Sequence, residues 1–139
     1  MAKNVTIGQI IRRIQSNEIS PAYSLFGNEP FLQDFFIREL DKGFSDETGT
    51  KKYLSLDDDK EIDFLAELSA YSLFNVRQLL IVRQIKKLTK GGKDELLEYL
   101  KSPNPATCLV LISEEYDDRK ALQKSLKAET IFVDVRVPF

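Results

Sequence analysis

Two unbroken apolar runs, Leu79-Leu80-Ile81-Val82 and Cys108-Leu109-Val110-Leu111-Ile112, constrain this chain more than any other feature. Each is short and bracketed by polar residues, so each reads as a strand rather than a helix. Neither alternates apolar with polar positions, so both faces of each strand must be covered. Strands of that kind belong to parallel sheets with helices packed on both sides. Three further strand-like stretches, residues 22–26, 52–56 and 131–135, are separated from these two by helical patterns. The expected fold class is therefore α/β: three layers around a mainly parallel five-stranded sheet.

The helical segments carry their own signals. Thr6-Ile7-Gly8-Gln9 has the form of a capping box, and Ile7, Ile10, Ile11 and Ile14 then fall on one face. Pro30 suits the first turn of a helix whose buried side would be Leu32, Phe35, Phe36, Leu40 and Phe44. Asp58 and Glu61 are placed to cap a helix running through Leu68. Lys86, Lys87, Lys90 and Lys93 surround Gly91-Gly92 and read as a flexible basic loop, with a short helix over 94–100 using Leu96, Leu97 and Leu100. A last helix over 117–127 would bury Ala121, Leu122 and Leu126.

The totals exclude several functions. The 139 residues suffice for one domain with one core. A net charge of −2 argues against a domain built chiefly to grip phosphate backbones. The absence of histidine removes histidine catalysis and histidine metal ligation, and the single Cys108 removes an internal disulfide. No signal peptide and no run of membrane-spanning length is present, so a cytoplasmic protein without membrane contact is expected. The chain stops just after its last strand, at Val137-Pro138-Phe139, as a fragment of a longer protein would.

Each candidate for chemistry fails on its residues. A strand followed by Gly27 and a helix is where a phosphate-binding loop sits in such a fold. That loop needs a second glycine, a lysine and a hydroxyl residue, and here Leu32, Gln33 and Asp34 occupy those positions. Glu29 would repel a phosphate and Pro30 removes a backbone donor. No cofactor is expected, although a nucleotide-binding α/β enzyme domain using Gly27-Asn28 and the acidic strand ends is the alternative. Asp57-Asp58-Asp59 could gather magnesium, yet the partners of a receiver-type acidic site cannot be placed, and helix capping accounts for these residues. Glu114-Glu115 has no nucleophile or metal ligand beside it. The lysines at 86, 87, 90 and 93 lack interleaved aromatics, so DNA contact is not expected of them.

One short connection is unusual. Leu65, Leu68 and Tyr71 recur at helical spacing, and the strand resumes at Gln78, so the chain turns a corner around Ser72-Leu73-Phe74-Asn75. Leu73 and Phe74 either close the core or stand at the surface as an apolar wedge for a partner.

Several pieces together resemble one family. Tyr23-Ser24-Leu25-Phe26-Gly27-Asn28-Glu29-Pro30-Phe31-Leu32 is similar to the opening strand and turn of the DNA polymerase III delta subunit, the bacterial clamp-loader wrench. Residues 72–82 resemble its clamp-binding segment and the strand behind it, and the match continues through Leu96-Leu97-Glu98-Tyr99-Leu100, Pro103, residues 108–112 and Asp118-Arg119-Lys120. The resemblance implies an AAA+/P-loop-like domain without a working phosphate loop, with strand order 5-1-4-3-2. It implies that residues 1–139 are a single N-terminal clamp-binding domain, with the family's lid and collar domains absent. The implied function is non-catalytic: binding the sliding clamp (the beta subunit) through Leu73 and Phe74, with Tyr71, Ser72 and Asn75 around them, and helping to open the ring during DNA replication. Other clamp-loader subunits would be met through the C-terminal region.

Overall fold

In a computed structural model of the chain, the structure describes residues 4–44, 50–58, 61–69, 77–113 and 121–135. Six strands form one sheet: β1 (Asn4–Thr6), β2 (Ala22–Phe26), β3 (Thr50–Ser55), β4 (Gln78–Arg83), β5 (Thr107–Ser113) and β6 (Ile131–Asp134). Their order across the sheet is β1-β6-β2-β5-β4-β3, and every pairing is parallel. The five expected strands therefore stand in the expected order, 5-1-4-3-2. The addition is β1, which pairs with β6 through Asn4, Val5 and Thr6. Three residues are too few to show a two-residue period, so only the neighbouring strand makes this segment extended.

Helices α1 (Ile7–Gln15) and α2 (Pro30–Phe44) cover one face. Their Ile10, Ile11, Ile14, Phe36, Ile37 and Leu40 pack on Tyr23, Leu25, Leu79, Ile81, Val110 and Val133. Helices α3 (Glu61–Ser69), α4 (Lys90–Lys101) and α5 (Ala121–Glu129) cover the other. There Phe64, Leu68, Leu96, Leu100 and Leu126 meet Phe26, Leu80, Val82, Leu109, Leu111 and Phe132. Successive residues of β4 and β5 thus enter opposite cores, which is why neither run can alternate with polar residues. The edge strand β3 instead exposes Lys51, Lys52 and Tyr53.

The capping box forms as expected: Thr6 Oγ1 accepts from the Gln9 amide at 3.2 Å, and Gln9 Oε1 accepts from the Thr6 amide at 3.1 Å. Other boundaries differ. Leu56 leaves the strand for a 3-10 turn (Leu56–Asp58) and is buried there. In α2, Gln33 and Ile37 are fully covered while Leu32 and Phe35 are only half-buried, and in α5 Gln123 takes the buried place expected for Ala121. The basic stretch after β4 is not a loop. Ile85–Lys87 makes a 3-10 turn, Ile85 and Leu88 are buried, and α4 begins at Lys90 with Thr89 as its cap. The two glycines read as part of a flexible loop, but Gly92 is closely packed: a Cβ there would meet the Glu61 carboxylate, which would have to swing aside. Glu61 does not serve its own helix alone, since it accepts from the Thr89 amide at 2.6 Å and the Thr89 hydroxyl at 3.1 Å. Thr89 Oγ1 in turn accepts from the Gly92 amide at 3.1 Å.

Candidate protein-binding edge and a filled phosphate-loop position

The turn after β2 lies at the end of the sheet where the parallel strands finish. Gly27 has φ 127°, a conformation that a side chain would strain. Its amide donates to the Ser113 carbonyl at 2.9 Å, so the turn is tied to the end of β5. The next turn of chain supplies its own polar partners. Glu29 Oε1 accepts from the Phe31 amide at 3.1 Å and so places a carboxylate at the start of α2, where a bound phosphate would otherwise lie. Gln33 stands at the position of the missing lysine. It is 2% exposed; its Nε2 donates to the Gly27 carbonyl at 2.8 Å, and its Oε1 accepts from Arg83 Nη1 at 3.0 Å. A neutral amide, satisfied at both ends, fills the place where a phosphate-binding cation would have to reach out. Among the described residues, no group of three or more acidic or cysteine side chains is gathered as metal ligands.

Cys108 is no better placed for chemistry. Burial raises its thiol pKa to about 12, and its Sγ lies 3.5 Å from the Ser20 carbonyl oxygen. The thiolate that a nucleophile needs is therefore suppressed. Three of the four lysines around α4 are exposed and Lys93 is half-buried. No described helix is long and apolar enough to cross a membrane.

α3 ends at Ser69 and β4 begins at Gln78, at the opposite end of the sheet. Tyr71, Ser72, Leu73, Phe74 and Asn75 lie outside the described residues, as do Asp59, Glu114, Glu115 and Asp118 to Lys120. On the α3 side, Glu67 bonds to Lys52 of β3. On the β4 side, the Thr50 amide donates to the Arg77 carbonyl at 3.0 Å and the Gln78 amide to the Ala106 carbonyl at 2.8 Å. The Arg77 guanidinium donates to the Phe44 carbonyl at 2.8 Å and lies 5.4 Å from the centre of the Phe44 ring. Arg77 is thus committed to α2. Between the two elements, Gln78 Nε2 donates to Glu67 Oε2 at 2.8 Å. The Gln78 and Lys52 bonds, in that order, hold the Glu67 carboxyl below its ordinary pKa. Sequence reading misses this contact, because Glu67 and Gln78 lie eleven residues apart and neither belongs to a motif.

Three large apolar side chains among the described residues are exposed: Phe31 at 67%, Tyr53 at 55% and Ile62 at 81%. Phe31 and Tyr53 line a shallow groove with Asp34, Ile37 and Arg38, a surface that sequence periodicity also leaves unmarked.

Comparison with known proteins gives a consistent set of likenesses. The family described as DNA polymerase III, delta subunit, matches residues 23–136. The DNA polymerase III subunit delta of Bacillus subtilis (strain 168) is 27% identical over 138 residues, covering 90% of this chain and 40% of that protein. The structure of a Bacillus subtilis DNA clamp loader delta protein superposes with a TM-score of 0.80 at 24% identity, over 94% of this chain and 42% of the other. The P-loop NTPase domain of a sigma-54 transport activator from E. coli superposes with a TM-score of 0.61 at 17% identity, over 96% of each chain. The fold is thus of the AAA+/P-loop type, while this chain spans about two fifths of the length of its curated relative.

Proposed function

The chain belongs to the DNA polymerase III delta-subunit family, and from that premise we propose that residues 1–139 are the domain with which such a subunit binds the sliding clamp. The observation that carries this reading is the filled phosphate loop. Gln33 and Glu29 occupy the cation and anion places of an NTPase site with the protein's own side chains, in a fold otherwise built to hold a nucleotide there. A domain of this ancestry that has given up its ligand is left with its surfaces, and its action is to bind protein and not to catalyse a reaction.

In this reading Leu73 and Phe74 form the wedge, with Tyr71, Ser72 and Asn75 beside them, and the clamp supplies an apolar pocket. All five positions fall within the span that matches the family, residues 23–136. Burying a Leu and a Phe contributes about 1.5–3 kcal/mol each. Together that is about 3–6 kcal/mol, or roughly two to four decades of affinity, enough to make the pair a hot spot. Ring opening follows only to the extent that the wedge binds the sprung clamp better than the closed one, because a ligand shifts an equilibrium by its differential affinity alone. Contacts with other loader subunits fall to the region beyond this domain, and the setting is cytoplasmic.

Calorimetric titration of the protein into its cognate sliding clamp tests the proposal. Binding without ATP, lost by two or more decades in a folded Leu73→Ala/Phe74→Ala variant, is the expected result. Binding that requires ATP, or that survives the double substitution, overturns it.

A further inference from the structure

One strip of surface is left uncovered by the fold. Strand β3 stands at the edge of the sheet, and beyond the flank of α2 it exposes Lys51 and Tyr53. Along the side of α2 that faces Tyr53, Phe31, Asp34 and Arg38 follow one another at helical spacing. Phe31 and Tyr53 are two of the three exposed large apolar side chains among the described residues. The charges between them are uncommitted. Asp34 and Arg38 are exposed and one turn apart, and neither side chain makes an ion pair or hydrogen bond among the described residues. The neighbouring charges are already engaged. Lys51 meets Asp41 at 3.3 Å, and Glu39 meets Lys42 at 2.9 Å and Gln15 at 3.2 Å. Arg38 reaches Glu39 only through its field.

We infer that this strip is where two copies of the chain meet, α2 against α2 across a two-fold axis. The strip is complementary to itself. Antiparallel copies related by such an axis set position 34 of each opposite position 38 of the other. Asp34 then faces the partner's Arg38, and Arg38 faces the partner's Asp34. A parallel arrangement, or a shift of one turn, sets like charges together instead, so the charges also fix the register. Phe31 and Tyr53, exposed in the single copy, lose water in the pair. The patch is small beside the roughly 800 Å² per partner of a standard interface, so the dimer is weak, with a dissociation constant on the order of 100 µM. Nothing in this reading depends on the clamp.

Sedimentation equilibrium of the whole chain between about 10 µM and about 1 mM tests it, a range that brackets the expected constant. The wild type should pass from monomer to dimer and go no further, because a two-fold contact closes on itself. Asp34→Arg turns both cross-copy contacts repulsive, and so does Arg38→Asp. Either should weaken association at least tenfold. Phe31→Ala should weaken it by about tenfold as well. A one-to-one mixture of the Asp34→Arg and Arg38→Asp chains should dimerise again, since one copy then carries two cations and the other two anions at the facing positions. That recovery also shows that both variants are folded. The double variant Asp34→Arg/Arg38→Asp should dimerise by itself. A wild type that stays monomeric up to about 1 mM overturns the inference and leaves the groove to a different chain. A dimer that survives Asp34→Arg overturns it too, as does a mixture that fails to associate where the wild type does, because the contact then lies elsewhere.

Discussion

The Gln33 side-chain amide donates to the Gly27 carbonyl at 2.8 Å, closing the turn after β2 from inside α2. Arg83 extends the bridge to the end of β4. The phosphate-loop position is therefore a braced corner of the core. Gln33→Ala leaves a buried carbonyl and a half-buried guanidinium without their partner, which costs about 1–3 kcal/mol. Denaturant unfolding should show that loss, while Gln33→Asn, too short to span both partners, should recover little of it.

The same geometry predicts that restoring the lysine does not restore the site. Gln33→Lys puts a cation beside Arg83 in a buried place, with Glu29 still on the Phe31 amide. The variant should lose about 3–5 kcal/mol, the scale of an uncompensated buried charge. Neither it nor the wild type should gain thermal stability from millimolar magnesium nucleotide, since a ligand stabilises only the state that it binds.

Gly92 and Glu61 should behave as one unit. Gly92→Ala sets the new methyl against the Glu61 carboxylate, which must swing off the Thr89 amide; losing that charged hydrogen bond costs about 1.5–3 kcal/mol, offset by about 1 kcal/mol from replacing glycine in a helix. Glu61→Ala removes the obstruction and also the acceptor for the Thr89 amide. A double-mutant cycle should therefore show the pair costing less than the two single losses added together.

Acid should weaken the contacts that Glu67 makes with Gln78 and Lys52. The Glu67 carboxyl is lowered by its bonds to Gln78 and Lys52. A lowered carboxyl contributes stability that is fully present above its unfolded value, about 4.3. That contribution is lost as pH falls through the lower folded value. The stability difference between wild type and Glu67→Ala should thus be constant near neutral pH and close progressively below about pH 4.

Alkali acts on the core with the opposite sign. Burial raises Cys108 from 9.0 to about 12 and Tyr23 from 10.0 to about 12. Each contributes stability that is intact below its unfolded value and is lost as pH rises toward the folded one. Stability should fall between about pH 9 and 12, and alkylation of Cys108 at pH 8 should follow unfolding and not precede it.

Residues 79–82 and 108–112 determined a great deal by themselves. A short apolar run with no polar alternation must be covered on both faces, and that requirement alone implies a parallel sheet between two helical layers. The capping box at Thr6 and Gln9, the turn at Gly27 and the loss of the phosphate-loop residues were equally legible, because each depends on neighbours within a few positions. The proposal that Leu73 and Phe74 form a wedge comes from the sequence resemblance alone, since both residues lie outside the described residues. Only the tertiary structure decided the rest. It made a strand of Asn4–Thr6, drew Gly91 and Gly92 into α4, turned Glu61 toward Thr89, buried Gln33, and joined Glu67 to Gln78. Each of these depends on a partner far away in the chain. A polar side chain carries no mark of whether it will meet water or a distant donor until packing has excluded the water.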